Sequence, residues 1–189
     1  MRATKRATVR EDNPAQINAR KGFSLIELLI VVAIILIIAA IAIPNLLRAR
    51  QSANQASAVA NVRTISTASV SYWVTYGNGY PPSLASLGGT GATATCGASI
   101  LIDPVLSTAP YQKSGYQYAY AGQEGTVVTV PSSCGAAGFL GYLATAVPIT
   151  VGLTGNTSYC TCEPGIIHMD TSGVVAADEA ACNALPTLQ

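Results

Sequence analysis

From Phe23 to Ile43 the chain runs for 21 residues with one charge, Glu27, and no proline until Pro44. A stretch of that length matches the roughly 20 residues a helix needs to cross the hydrocarbon core of a bilayer. A helix apolar on every side also does not suit the surface of a soluble domain, where one face meets water. A secretory signal peptide would have an apolar core of about 7–15 residues before a small-residue site such as Ala40-Ile41-Ala42. This run is longer and holds an acid. A plain single-pass anchor accounts for the length but leaves Glu27 unexplained. On translocon-type scales an acidic residue at mid-bilayer costs about 2.5–3.5 kcal/mol, less near an end.

Two accounts offset that cost. Ser24-x-x-Glu27 fits a capping box, in which Ser24 caps the helix and Glu27 reaches back to the cap amide. A glutamate in the first turn also complements the helix dipole. The second account uses Gly22. A cut between Gly22 and Phe23 would give Phe23 a charged amine at the depth of the Glu27 carboxylate. In a low dielectric the two would attract strongly, within one chain or between neighbours.

Charge is distributed unevenly around the run. Six of the ten basic residues (Arg2, Lys5, Arg6, Arg10, Arg20 and Lys21) precede it, and seven of the nine acidic residues lie after Phe23. Five of those basic residues fall within about 20 residues of its start, against Arg48, Arg50 and Arg63 after its end, so the positive-inside rule puts the N-terminus in the cytoplasm. Charged residues make up only 10% and hydrophobic ones 50%, which excludes global disorder. A formal net charge of +1 excludes the strongly basic footprint of a nucleic-acid binder, and no specific nucleic-acid site is evident.

Lys21-Gly22-Phe23-Ser24-Leu25-Ile26-Glu27, followed by fourteen apolar residues from Leu28 to Ile41, resembles the prepilin signature of type IV pilins and type II secretion pseudopilins. The resemblance covers about residues 20–76. It implies leader cleavage by a prepilin peptidase between Gly22 and Phe23, N-methylation of Phe23, and a requirement for Glu27 in filament assembly. A leader of 22 residues is on the long side for the family.

From Asn45 to Tyr76 there is neither Pro nor Gly, and Ala56, Val59, Val62, Ile65, Val70 and Trp73 fall near helical spacing. One helix is therefore expected from about Ser24 to Tyr76, membrane-spanning in its first half and amphipathic in its second. Pro44, which lacks an amide and crowds the preceding turn, is its expected weak point. The resemblance implies that the helix can unwind there in a filament. Ala33, Ala39, Ala40 and Ala42 would let such helices pack closely.

Gly77-Asn78-Gly79 and Tyr80-Pro81-Pro82 end the helix. Short helices are expected over Pro82–Gly89 and Ile100–Ser107, with a loop holding Cys96 between them. Strands are expected over Tyr116–Tyr120, Thr126–Val130 and Tyr142–Val151, with Pro148 favouring an edge or a bulge. Ile166–Met169 and Val174–Ala176 read as a hairpin. The fold class is thus α+β, with the helix packed on a C-terminal antiparallel sheet, pilin-like in layout. Residues 1–22 are the cytoplasmic leader, 23–76 the long helix with its membrane segment at 23–43, and 77–189 an extracytoplasmic globular head.

Cys96, Cys134, Cys160, Cys162 and Cys182 all follow the membrane segment, on the oxidising side, so disulfides are expected. Either Cys160 or Cys162 with Cys182 would close a loop near the C-terminus, of a kind many type IV pilins have. Cys96 with Cys134 is the natural second bridge. Five cysteines allow fifteen such pairings, and the sequence leaves the choice open. No metal site or other cofactor is expected. Cys160, Cys162 and His168 fit no strong zinc spacing, and Asp170, Asp178 and Glu179 read as solvated turn carboxylates rather than a calcium site. His168 is the only histidine, no phosphate loop, H-E-x-x-H or G-x-S-x-G occurs, and no enzymatic activity is expected. Asn156-Thr157-Ser158 reads as a chance glycosylation pattern.

These features lead to the expectation of a type IV pilus subunit, held in a bacterial inner membrane before assembly and extracellular afterwards. Its partners would be pilin subunits, the prepilin peptidase and the inner-membrane assembly machinery. The alternatives are a type II secretion pseudopilin of a periplasmic pseudopilus and, in a different class, a membrane-tethered periplasmic binding module that does not polymerise.

Overall fold

The structure is a computed structural model and describes residues 22–126, 134 and 138–188. Helix α1 spans Leu25–Tyr76 and contains Pro44. The chain divides into two units, one ending at Ala42 and the other beginning at Ile43. In the first, α1 carries exposed aliphatic side chains all round, from Leu25 through Ile41.

The second unit is the α+β head. It opens with the rest of α1, which Gly77 ends by taking the left-handed conformation (φ +67°) and donating its amide to the Trp73 carbonyl at 2.8 Å. Two one-turn helices follow, α2 (Leu84–Leu87) and α3 (Pro104–Ser107), with Asp103 capping α3 through the Val105 amide. The strands are β1 (Gln112–Lys113), β2 (Tyr116–Thr126), β3 (Phe139–Pro148), β4 (Ser158–Cys162) and β5 (Ile167–Asp170), and α4 (Glu179–Asn183) comes last. They form one antiparallel meander in the order β1-β2-β3-β4-β5. Beyond β5 the tail pairs on: Met169 donates to Pro186, and Leu188 donates to Ile167.

One sheet face packs on α1. Ala58, Val62, Ile65, Ala68 and Tyr72 meet Tyr116, Tyr118, Tyr142, Ala144 and Tyr159 there. Each large apolar side chain so buried contributes about 1.5–3 kcal/mol. The opposite face holds Leu143, Cys160 and Cys162 under Cys182 of α4. β3 and β4 are therefore covered on both sides, and every residue of β4 is buried.

Several elements differ from expectation. The buried stripe of α1 runs through Ala58, Asn61, Val62, Ile65, Ser66, Ala68, Ser69 and Tyr72, while Ala56 and Val70 are exposed. Small and hydroxyl-bearing residues let the sheet's tyrosines approach and then bond to them, so the contact face is not the most hydrophobic one. Val174–Ala176 is not a strand; β5 pairs with β4 on one side and with the tail on the other. The short expected helices shrink to single turns. β3 begins at Phe139 and ends at Pro148, so Ile149 to Val151 fall in the following loop. β2 is longer than expected, reaching Thr126, and the rest of the expected strand to Val130 lies outside the described residues.

Candidate assembly site

Gly22 to Ser24 precede the helix, and the Leu28 amide closes the first turn on the Ser24 carbonyl at 3.2 Å. Ser24 thus stands where a cap belongs, and Glu27 lies in the first turn. At Gly22 a Cβ would meet nothing within 4 Å, so the chain's own packing does not demand glycine there. Phe23 is 77% exposed, and the Glu27 carboxylate is exposed among Leu25, Ile26, Leu28, Ile30 and Val31. The structure therefore gathers Gly22, Phe23 and Glu27 at one helix start. Pro44 lies inside the same helix; without an amide it leaves the Ala40 carbonyl without its helical donor.

The cysteines sit in the head. Cys96 is bonded to Cys134, and Cys160 to Cys182 with Cα atoms 6.0 Å apart. Cys162 is a free, buried thiol whose Sγ lies 3.1 Å from Asn183 Oδ1. Burial, then the Glu179 charge, pushes it up to about 11. The disulfide takes Cys160 out of the Cys160–Cys162–His168 set, and His168 Nδ1 lies 2.7 Å from the Leu185 carbonyl. Among the described residues no His, Cys, Asp and Glu cluster is arranged to hold a metal. Asp170 accepts from the Ser172 amide at 2.8 Å and Asp178 from the Ala181 amide at 2.7 Å, so two of the three C-terminal acids considered for calcium serve their own turn and cap.

Polar residues of α1 that the sequence does not advertise fasten the head to the helix. Asn61 Nδ2 donates to the Tyr118 hydroxyl at 2.8 Å, and Ser66 Oγ lies 2.8 Å from the Tyr142 hydroxyl. Burial raises both tyrosines, against the opposing effect of those bonds. Gln51 and Asn54 reach the carbonyls of Gly152 and Thr154 at 2.5 and 2.9 Å.

An apolar helix with one acid in its first turn, leading into a helix–sheet head, has pilin-like architecture. Residues 17–43 match the family described as the prokaryotic N-terminal methylation motif. The chain is 74% identical over 34 residues to the type IV wide pilus major component PilA4 of Thermus thermophilus, covering 18% of this chain and 26% of that protein. It is 49% identical over 53 residues to the type IV major pilin protein PilA of Myxococcus xanthus, covering 28% and 24%. The chain thus spans about a quarter of the length of these curated relatives. No solved structure matches it. Motif and relatives together support the type IV pilin family for this chain.

Proposed function

We propose that the chain is a prepilin whose mature form, from Phe23 onward, is a structural subunit of a type IV pilus. The leader 1–22 is removed by a prepilin peptidase, Phe23 is N-methylated, and the protein waits in the inner membrane with its N-terminus cytoplasmic until the assembly machinery takes it into an extracellular filament. The observation that carries this reading is the helix start: aliphatic residues exposed on every side, interrupted only by Glu27, four residues beyond Phe23. Burying each such side chain is worth about 1.5–3 kcal/mol, so the surface requires lipid or neighbouring helices to cover it. Within that cover a Glu27 carboxylate needs a cation, and the Phe23 amine of a neighbouring subunit supplies one at matching depth. The similarity to two major pilus components favours a pilus over a pseudopilus. In this reading Pro44 is where the helix gives way on assembly.

Mass spectrometry of the mature protein is expected to find N-methyl-Phe23 at the terminus. Glu27→Ala is expected to insert in the membrane normally and to be absent from sheared surface fibres. An uncut leader would leave the tethered binding module standing. Normal fibre entry by Glu27→Ala would return Glu27 to a capping role, and a mature chain confined to the periplasm would make it a pseudopilin.

A further inference from the structure

Charge is segregated within the unit that begins at Ile43. Between Ile43 and Gly77, α1 carries Arg48, Arg50 and Arg63 and no acid, whereas residues 77–189 carry six acids and one lysine or arginine, Lys113. Lys113 is engaged inside the head, 2.8 Å from Asp103. The three arginines are exposed, and among the described residues none of them is in an ion pair. Solvated charges need no partner of their own, so the surfaces that carry them decide what they meet.

Arg50 borders a recess of about 250 Å³ lined by Leu47, Asn54, Gly115, Leu153 and Thr154. Its walls are tied: Asn54 Nδ2 donates to the Thr154 carbonyl at 2.9 Å, and the Thr154 amide donates to the Thr150 carbonyl at 2.9 Å. Leu153 is nonetheless 55% exposed. An acid-bearing turn of matching chemistry stands elsewhere on the same head. Glu163-Pro164-Gly165-Ile166 joins β4 to β5, and the Gly165 amide closes it on the Cys162 carbonyl at 2.6 Å. Gly165 is left-handed (φ +92°) and lies against α1, where a Cβ would come within 3.0 Å of Ser66 Oγ. With its glycine turned to the helix, the turn presents Glu163 and Ile166 outward; Ile166 is 48% exposed, and Glu163 is in no ion pair among the described residues. Ser66 follows Arg50 by 16 residues, about 24 Å along α1, so turn and recess do not meet within one chain.

We infer that the β4–β5 turn of one copy docks in the Arg50 recess of the next, with Ile166 against Leu47 and Leu153 and the Glu163 carboxylate on the Arg50 guanidinium. The inference rests on filament formation within the proposed function and names two surfaces that meet in it. The occupant is a second copy because the two surfaces complement each other in both respects, aliphatic to aliphatic and anion to cation, and this chain carries both. Aliphatic cover around the pair also lowers the dielectric in which the two charges attract. The surfaces differ and lie apart, so the contact is heterologous: a copy that has offered its turn keeps its recess open for another, which builds a run of copies rather than a closed two-fold dimer.

The full chain is expressed in cells that assemble its fibres, and the subunit is quantified in sheared fibres and in the membrane pool. Arg50→Glu and Glu163→Arg are each expected to lower the fibre-to-membrane ratio about tenfold, because like charges then face each other across the contact. Both exchanges together are expected to bring the ratio back to within about twofold of the unaltered chain, as coupled partners do. In fibres carrying Leu153→Cys and Ile166→Cys, mild oxidation is expected to give a ladder of disulfide-linked copies that neither substitution gives alone. Normal assembly by the single exchanges, no ladder, or a double exchange that stays out of fibres although its head melts unchanged overturns the docking and leaves the filament reading standing. A membrane pool that falls with Arg50→Glu and is not restored by Glu163→Arg assigns the arginine to lipid phosphates and also overturns it. Absence of fibres from the unaltered chain overturns the filament reading and the docking with it.

Discussion

Asn61 shows how a single side chain links helix to sheet. It is buried on α1, and its amide holds the Tyr118 hydroxyl across the core. Replacing it with Leu strands a buried hydroxyl, which costs about 1–3 kcal/mol, whereas removing both polar partners with shape-matched groups is nearly neutral. Asn61→Leu alone is therefore expected to lower the urea-unfolding free energy of the detergent-solubilised chain by that amount, and Tyr118→Phe in addition is expected to restore most of it. A neutral single variant would contradict the assignment. Residues of this kind are the least legible in a sequence: an asparagine or serine on a helix reads as solvated until the tyrosine facing it is known. Glu27 is the opposite case. Its isolation inside an unbroken apolar run stands out without any structure, because no other charge competes for attention there.

Among the elements, α1 was the most legible, since its length, its lack of glycine and its stop at Gly77 all follow from local chemistry. β4 was missed entirely. Ser158-Tyr159-Cys160-Thr161-Cys162 lies under α1 on one face and under α4 on the other, so burial no longer alternates and the small polar side chains leave no periodic mark. Val174–Ala176 failed for the converse reason: two valines signal a strand, but both are exposed in a loop. The cysteines narrowed the pairing without deciding between Cys160 and Cys162. Those two alternate positions share one face of β4, so either could face α4 by spacing alone. Pro44 allows a test at the element scale. Alanine there returns an amide to the Ala40 carbonyl and removes a residue that disfavours helix by about 3 kcal/mol. Pro44→Ala is expected to slow amide hydrogen exchange over residues 40–48 in the anchored protein. Unchanged exchange would mean that the proline is accommodated without weakening the helix.

The head as a whole responds to pH mainly from the alkaline side. Burial raises Tyr72, Tyr118, Tyr142 and Tyr159, lifts Tyr80 to about 12 with help from the Glu163 charge, and raises Tyr116 and Tyr120 further. Cys162 moves from 9.0 to about 11. For each group the unfolded chain releases its proton first, so stability is full below pH 9 and falls as pH rises through 9 to 12. On the acid side Asp103, held by Lys113 and the Val105 amide, and Asp170, held by Ser172, are lowered. Their contribution is present above 3.8 and lost as pH falls further, and both lie at the surface, where such pairs count for little. Thermal unfolding followed by circular dichroism should show a steep decline above pH 9 and a shallow one below pH 4. A flat alkaline limb would mean that the tyrosines are less buried than the fold places them.

The pairing of the tail with β5 has a practical side. Leu188 donates to Ile167, Pro186 accepts from Met169, and Cys182 is bonded to Cys160 only a few residues earlier. A purification tag or fluorophore attached downstream of Leu188 would therefore pull on the sheet itself. The exposed residues 91–95, between α2 and Cys96, offer a site for a label that leaves the sheet undisturbed.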